Sequence, residues 1–397
     1  MPKKPATVKP SQARVVWAAL LLSLVTGCAS PPQFPARSDL LHDEWFHHVA
    51  GQKGRIISPD AVLTLSAETA SALDKVLLHA RGASERIDLL LDTIYGPRRR
   101  EFDYRSAATT PAEQTFHQRA GNCLSLSLMT IALADKFGLY AQLQEVPMVP
   151  VWERQGQFDL ISGHVFVIVR RTRFRDYGPM DASGDLAIDF DPAIRRAYTG
   201  RISSIPIPRE RGLAMFYNNR GAEAYVAGRL EEAFANYRQA AGLDAGFYGT
   251  WFNLSQLYMR IDQPGAAEAV LKHALEIDPR SYTGLQAMQS LLGKQGRDGE
   301  AASYARRIEQ LRDNDPYYHY MIGAGKFTNG DLRGAIASFE RATSLGIGFV
   351  EVHEALRDAY RATGDIENAK MQENRLLELA RPRHAGDELP SPGEMGK

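Results

Sequence analysis

The run Gly121-Asn122-Cys123-Leu124-Ser125-Leu126-Ser127-Leu128-Met129 joins a turn-forming dipeptide to a cysteine and then to an almost wholly apolar sequence. That pattern predicts a buried helix with the cysteine sulfur at its first turn. A thiolate is favoured there: the first N–H groups of a helix have no intrahelical acceptor, the macrodipole is positive, and a nearby imidazolium lowers a thiol pKa from about 8.5 toward ~3.5–7.5. Two later stretches carry matching groups, Gly163-His164-Val165-Phe166-Val167 and Ala187-Ile188-Asp189-Phe190-Asp191.

Working outward, the helix from Leu124 to Phe137 has small polar breaks at Ser125, Ser127 and Thr130, and Gly138 supplies its stop. This reads as a central helix rather than a surface one. Upstream, Thr110-Pro111-Ala112-Glu113 has an N-cap, a first-turn proline and a glutamate, predicting a short helix to about Arg119. Ser66 and Ser84 precede two further amphipathic helices, the second stopped by Gly96-Pro97. Downstream, the alternation at Leu139, Ala141 and Leu143, the run His164 to Val169 and the run Leu186 to Phe190 predict three strands. A period of two places His164, Phe166 and Ile168 on one strand face, with the histidine able to point over the helix N-terminus, and Asp189 and Asp191 on one face of the next strand. Val149 to Leu160 reads as a loop walling the site. Helices followed by a sheet make residues 40–200 an α+β domain.

Arg201 to Arg211 holds arginines and prolines, so residues 201–213 read as a linker. Beyond it Ala233, Ala267, Ala301, Ala335 and Ala369 recur at the 34-residue period of tetratricopeptide repeats, and Gly228, Gly296, Gly330 and Gly364 mark the turns before four of them. The unit beginning at Tyr248 fits best, with Trp251, Leu254, Tyr258, Ala267, Ala274 and Pro279. Five units over residues 214–383, starting at Ala214, Tyr248, Tyr282, Pro316 and Val350, make an all-α repeat solenoid whose groove would take a protein or peptide partner. Residues 384–397 read as a disordered tail.

Basic and acidic residues balance at forty-seven each, so no large basic field steers nucleic acid to the chain. Residues 1–27 have the form of a secretory signal: Lys3, Lys4, Lys9 and Arg14 precede an apolar run, Val15 to Val25, too short to span ~30 Å of hydrocarbon. Val25-Thr26-Gly27-Cys28 resembles a bacterial lipobox. The resemblance implies cleavage before Cys28, its acylation and a membrane-held lipoprotein; Ala29 after it implies the outer membrane, facing the periplasm. Residues 28–39, rich in proline, would be the tether. With two cysteines in the chain and Cys28 taken by lipid, no disulfide is left, and a lone thiol in an oxidising compartment favours a functional Cys123. His42, His47 and His48 do not have the four-apart spacing that converges on zinc, and no cofactor is called for.

Cysteine nucleophiles need a base within hydrogen-bond reach and a third group that fixes the imidazole tautomer. Cys123, His164 and Asp189 supply those types in order. The Gly-Asn-Cys opening a helix, the Gly-His on a strand and the Asp-Phe on the next are similar to transglutaminase-like domains of the papain-like superfamily. With Thr115-Phe116 and Gln144-Glu145-Val146, they resemble bacterial lipoproteins that join such a domain to tetratricopeptide repeats. The resemblance implies Cys123 as nucleophile, His164 as base and Asp189 as orienting acid in acyl transfer at amide bonds. Phe166 stands where tryptophan is usual, and Asp191-Pro192 also resembles the family's Asp-Pro. Asp189 is the favoured third member because it lies within the apolar strand, whereas Asp191 sits like a strand-end residue. The oxyanion donors would be the Cys123 N–H and a second group, Gln118 or Asn122. The alternative is an envelope scaffold whose triad is idle; the ordered Cys, His, Asp set favours the enzyme.

Overall fold

The computed structural model describes residues 34–35, 37–46, 56–78, 80–96, 102–105, 109–155, 158–170, 185–190, 204–345 and 350–380. Residues 1–27, expected as a signal segment, Cys28, residues 384–397, expected as a tail, and Asp191 lie outside the described residues. Among the described residues no helix is long and apolar enough to cross a membrane.

Helices α1 (Pro59–Leu63), α2 (Ala67–Leu77), α3 (Ala83–Tyr95) and α4 (Ala112–Gln118) precede α5 (Cys123–Lys136). Every residue of α5 from Cys123 to Ala134 is buried, as an apolar helix without a polar face requires. The sheet that covers it is antiparallel, of order β5-β4-β3-β6, with β3 (Tyr140–Gln155), β4 (Phe158–Arg170), β5 (Leu186–Ile188) and β6 (Ile205–Ile207). Val165, Val167, Val169, Ile188 and Phe190 meet α5 in one core, while Phe166, Ile168 and Val146 form a small cluster of their own.

Several expectations are corrected. The stretch expected as a loop over Val149 to Leu160 is largely strand: after a register shift between Val146 and Val151 the β3–β4 ladder resumes and runs from Val151↔Ser162 to Gln155↔Phe158, which pairs the backbone of residues 151–155 with that of residues 158–162. Ser84 is not a cap, since α3 starts from Gly82. Nor does Thr110 cap α4, whose N-cap is Pro111; the Thr110 hydroxyl pairs with that of Thr115 at 2.7 Å. Glu113 caps a different helix, α2, accepting from the Ser66 N–H at 3.0 Å and the Thr69 hydroxyl at 2.8 Å. Burial opposes its charge, but the hydrogen bonds from Ser66, Thr69 and His117 win and bring its pKa down to about 2.

The linker expected over residues 201–213 is structured where it is described. β6 pairs with β3 through Leu143↔Ile207, and α6 (Arg209–Val226) begins two residues later. Pro206 looked like a break, but β6 is an edge strand, where a residue without an N–H is tolerated. Ala214, Met215, Phe216 and Tyr217 of α6 are buried in the same core as α5, and Arg209 pairs with Asp135 through both carboxylate oxygens. The first repeat helix is thus also a helix of the cysteine domain. Conversely, the start of the expected 40–200 domain belongs to the repeats: Leu40 and Phe46 are buried in the repeat core, Phe46 stacks on Phe234 at 4.2 Å, Tyr258 Oη donates to Leu40 O at 2.9 Å, and Arg238 holds Asp43. Two apolar anchors in a short polar stretch were enough to dock it.

From α6 the chain continues as helix pairs: α7 (Leu230–Leu243), α8 (Tyr248–Arg260), α9 (Pro264–Ile277), α10 (Tyr282–Lys294), α11 (Asp298–Asp313), α12 (Pro316–Thr328), α13 (Leu332–Ser344), α14 (Val350–Thr363) and α15 (Ile366–Ala380). The expected unit starts at Tyr248, Tyr282, Pro316 and Val350 coincide with helix starts; only the first pair begins earlier than Ala214. The recurring alanines are buried, as residues must be where the two helices of a pair approach closely. The turn between the helices takes a left-handed residue each time, Gly228, Gly296, Gly330 and Gly364 at φ +71 to +81 and Asp262 at φ +58. Asp262 fills the turn that had no glycine, since aspartate tolerates this region better than most residues.

Within a pair, small residues face large ones. A Cβ on Gly323 would lie 2.6 Å from the Phe339 ring, whereas one on Gly293 would meet nothing within 4 Å. Gly323→Ala is therefore expected to destabilise the protein by about 1–3 kcal/mol through overpacking. Gly293→Ala is expected to stabilise it by ~0.4–1 kcal/mol by restricting the unfolded chain. Urea unfolding of the two variants checks both signs, and equal effects would show that this helix contact does not constrain residue size.

Candidate functional site

Chain geometry brings Cys123 to its position through a chain reversal. After α4 the backbone turns at Arg119, which adopts φ +48 and is held by its guanidinium on Ile94 O at 2.9 Å and over the Phe102 ring at 4.4 Å. A short parallel bridge follows, β1 (Asp103–Tyr104) beside β2 (Ala120–Gly121), in which Arg105 N donates to Gly121 O. Gly121 lies so close to α4 and α5 that a Cβ there would stand 3.0 Å from Ser125 Cβ and 3.3 Å from Thr115 Cγ2. Asn122 is the N-cap of α5, its Oδ1 accepting from Ser125 N at 2.8 Å, and Cys123 is the first helical residue.

His164 lies on β4 opposite Val146 and is 1% exposed; its ring stacks beside Phe166. Its Nε2 is 2.8 Å from Asp189 Oδ2, just past the end of β5. The ring also hydrogen-bonds Cys123. With Nε2 committed to the carboxylate, Nδ1 is the nitrogen left for the sulfur. Burial works against the imidazolium, but hydrogen bonds to Asp189 and Cys123, together with electrostatic attraction to them, outweigh it and raise the His164 pKa to about 9. The three residues singled out in the sequence therefore stand together, one from a helix terminus, one from β4 and one, Asp189, from just past the end of β5 and not from within the strand as the sequence suggested. The side chain of Asp189 is 11% exposed and that of Cys123 also nearly sealed, so the group is a desolvated one in which charge pairing is strong.

Around the cysteine lies a buried polar network that the sequence reading missed. Thr110 N donates to Ser125 Oγ at 2.9 Å, Asn122 Nδ2 donates to Thr109 Oγ1 at 3.0 Å, and Thr115 Oγ1 donates to Thr110 O and Pro111 O. Three threonines shortly before a Gly-Asn-Cys were its only trace in the sequence. Of the two candidate oxyanion donors, Asn122 acts first as a clamp, holding Ser125 and Thr109; Gln118 is exposed at the last turn of α4. Gln144, on the same face as His164, is buried and accepts from Ser204 Oγ at 3.2 Å. Among the described residues no group of three His, Cys, Asp or Glu side chains is arranged to hold a metal ion; His42 stacks on Trp45 and pairs with Glu44, and His47 and His48 lie outside the described residues.

A family model for the tetratricopeptide repeat matches residues 224–292. No curated protein matches the chain in sequence. Among solved structures it is similar to the MamA protein, at 22% identity over 42% of this chain and 91% of that one with a TM-score of 0.24. It is also similar to YrrB, described as a tetratricopeptide protein with an unusual peptide-binding site, at 20% identity over 42% and 86% with a TM-score of 0.24. A third is pilF of Pseudomonas aeruginosa, at 17% identity over 44% and 80% with a TM-score of 0.26. The second half of the chain thus contains a tetratricopeptide-repeat region.

The raised His164 pKa links the site to stability. Because the folded value, about 9, exceeds the unfolded value near 6.5, the stabilisation from the charged ring is fully present below about pH 6.5 and is lost as pH rises through about 9. Urea unfolding of the parent and of Asp189→Asn between pH 6 and 10 is expected to show a parent advantage that is largest at the acid end and shrinks toward pH 10. A penalty constant with pH would mean that Asp189 does not govern the charge on the ring.

Proposed function

We propose that the protein is a membrane-anchored cysteine acyltransferase or amidase of the transglutaminase-like kind, whose repeats bring a protein or peptide partner to it. The observation that carries this reading is the relay Cys123, His164, Asp189, with the imidazole bonded to the sulfur on one side and to a carboxylate 2.8 Å away on the other. In the proposed reaction the Cys123 thiolate attacks an amide carbonyl, forming a thioester through a tetrahedral oxyanion. His164, as the imidazolium, gives its proton to the departing amine. Water or a second amine, deprotonated by His164, then attacks the thioester, releasing acid or new amide and returning the proton to the thiol–imidazole pair. Asp189 keeps the ring oriented and offsets its charge. The Cys123 N–H at the start of α5 is one oxyanion donor, and Gln118 is the candidate for the second.

The alternative, a scaffold that binds peptides with an idle triad, draws its support from the repeat match at residues 224–292, which concerns protein binding and not chemistry. Thiol reactivity separates the two. In the full chain carrying Cys28→Ser, the remaining thiol is expected to react with iodoacetamide at pH 6 about tenfold faster than in the same chain with His164→Gln. Equal rates would favour the scaffold. With an amide substrate in hand, Asp189→Asn should lower kcat at least ~100-fold through loss of tautomer control.

For localisation, the lipobox-like sequence supports anchoring through Cys28 at the outer membrane. Cys28→Ala is expected to abolish fatty-acid labelling and move the protein to the soluble fraction. Its retention in salt-washed membranes would refute a lipid anchor.

A further inference from the structure

We propose that Glu223, on the first repeat helix, is a positioning residue for Cys123, acting through Thr109 on the Asn122 cap of α5; the inference rests on the catalytic reading of Cys123. Its starting point is a break in the repeat register. Thirty-four and sixty-eight residues after Glu223 stand Leu257 and Leu291, both buried in the repeat core, and the last repeat has buried Ala359. A carboxylate at a position that its neighbours fill with leucine gives up apolar packing, and calls for a polar partner.

That partner is in the cysteine domain. Glu223 Oε1 accepts from Thr109 N at 2.8 Å, and Thr109 is 1% exposed, so water does not replace the bond. The hydroxyl of the same threonine accepts from Asn122 Nδ2 at 3.0 Å, while Asn122 Oδ1 holds Ser125 N at 2.8 Å. The next residue, Thr110, donates its N–H to Ser125 Oγ at 2.9 Å. Thr109 and Thr110 therefore grip both ends of the cap whose helix begins with Cys123, and Glu223 fixes the backbone of Thr109. Partial burial raises the pKa of the Glu223 carboxyl, opposed by the Thr109 hydrogen bond and by Arg220 and Arg229. Residues Ala214 to Tyr217 of α6 share the core of α5, so the helix that carries Glu223 is fixed against the cysteine domain.

The test uses the full chain with Cys28→Ser and two readouts, hydrogen exchange at residues 109–125 and the iodoacetamide rate of Cys123. Glu223→Leu supplies the residue of the next two repeats and removes the acceptor; Glu223→Gln keeps an oxygen for Thr109. Thr109→Val keeps the N–H bonded to Glu223 but removes the hydroxyl that holds Asn122. Glu223→Leu and Thr109→Val are each expected to speed exchange at Asn122 to Ser125 and to slow alkylation on the order of tenfold, since small displacements of a reacting group have effects of that size or more. Glu223→Gln should restore both. Unchanged exchange at Asn122 to Ser125 in Glu223→Leu, or faster exchange with an unchanged alkylation rate in a chain whose thiol depends on His164, overturns the proposal. If the thiol proves independent of His164, the catalytic reading fails by itself, and exchange at the cap still decides whether Glu223 holds it.

Discussion

Burying the N-terminus of an apolar helix creates a demand that the surrounding chain has to meet. The first N–H groups of α5 have no acceptors within the helix, and the turn that carries them is closed to water. Asn122 Oδ1 meets part of that demand by accepting from Ser125 N, and Thr109, Thr110, Thr115 and the Ser125 hydroxyl hold the turn around it in a connected set of buried hydrogen bonds. An alanine at Thr109, Asn122 or Ser125 would remove the acceptor of Asn122 Nδ2, Ser125 N or Thr110 N in turn, in a place where an unsatisfied donor costs about 1–3 kcal/mol. The same constraint gives Cys123 a fixed position at the positive end of the helix, against which a strand histidine can be registered.

Registration comes from the sheet. An antiparallel ladder with a period of two sends Val165, Val167 and Val169 into the core and leaves His164 and Phe166 on the other set, so a slip of one residue would exchange them. Pairing of β5 with β4 through Val167↔Ile188 then carries Asp189 to the imidazole. The core, to which Cys123 itself belongs, thus determines the geometry of the three residues largely indirectly, through the strand register that its apolar residues impose. On the proposed acyl-transfer reading, that indirect support is what keeps a charged histidine in place at 1% exposure.

The repeat region is joined to this half by structure shared between them and not by a tether. Strand β6, helix α6 and the 37–46 segment cross between the halves, so the first tetratricopeptide pair is at once a cap for the array and a wall of the cysteine domain. A terminal repeat needs its outer face covered or made polar. Here the sheet domain covers it, which explains why residues of the first pair depart from those of the following pairs. Further along, the interior divides into one core reaching Ile308 and another beginning with residues around Phe339, so the last pairs form a separate packing unit.

Local pattern alone determined much of this protein. A 34-residue alanine period located the helix starts at Tyr248, Tyr282, Pro316 and Val350, because every repeat must solve the same close packing, and an unbroken apolar run announced α5. The residue types of the site and their order were legible too, since a cysteine after Gly-Asn is a local signal; the histidine, expected at a strand's start, lies in the middle of β4, which the pairing extends back to Phe158. What depended on distant partners was not. Pro206 became part of an edge strand only because β3 offered it a ladder, residues 151–155 became strand by pairing with residues 158–162, and Glu113 capped α2 instead of its own helix. Most of all, the approach of Asp189 to His164 and of Glu223 to Thr109 was decided by tertiary structure. Hydrogen bonds between residues 25 and 114 positions apart leave no periodicity in a sequence; they exist once the core has set the elements side by side.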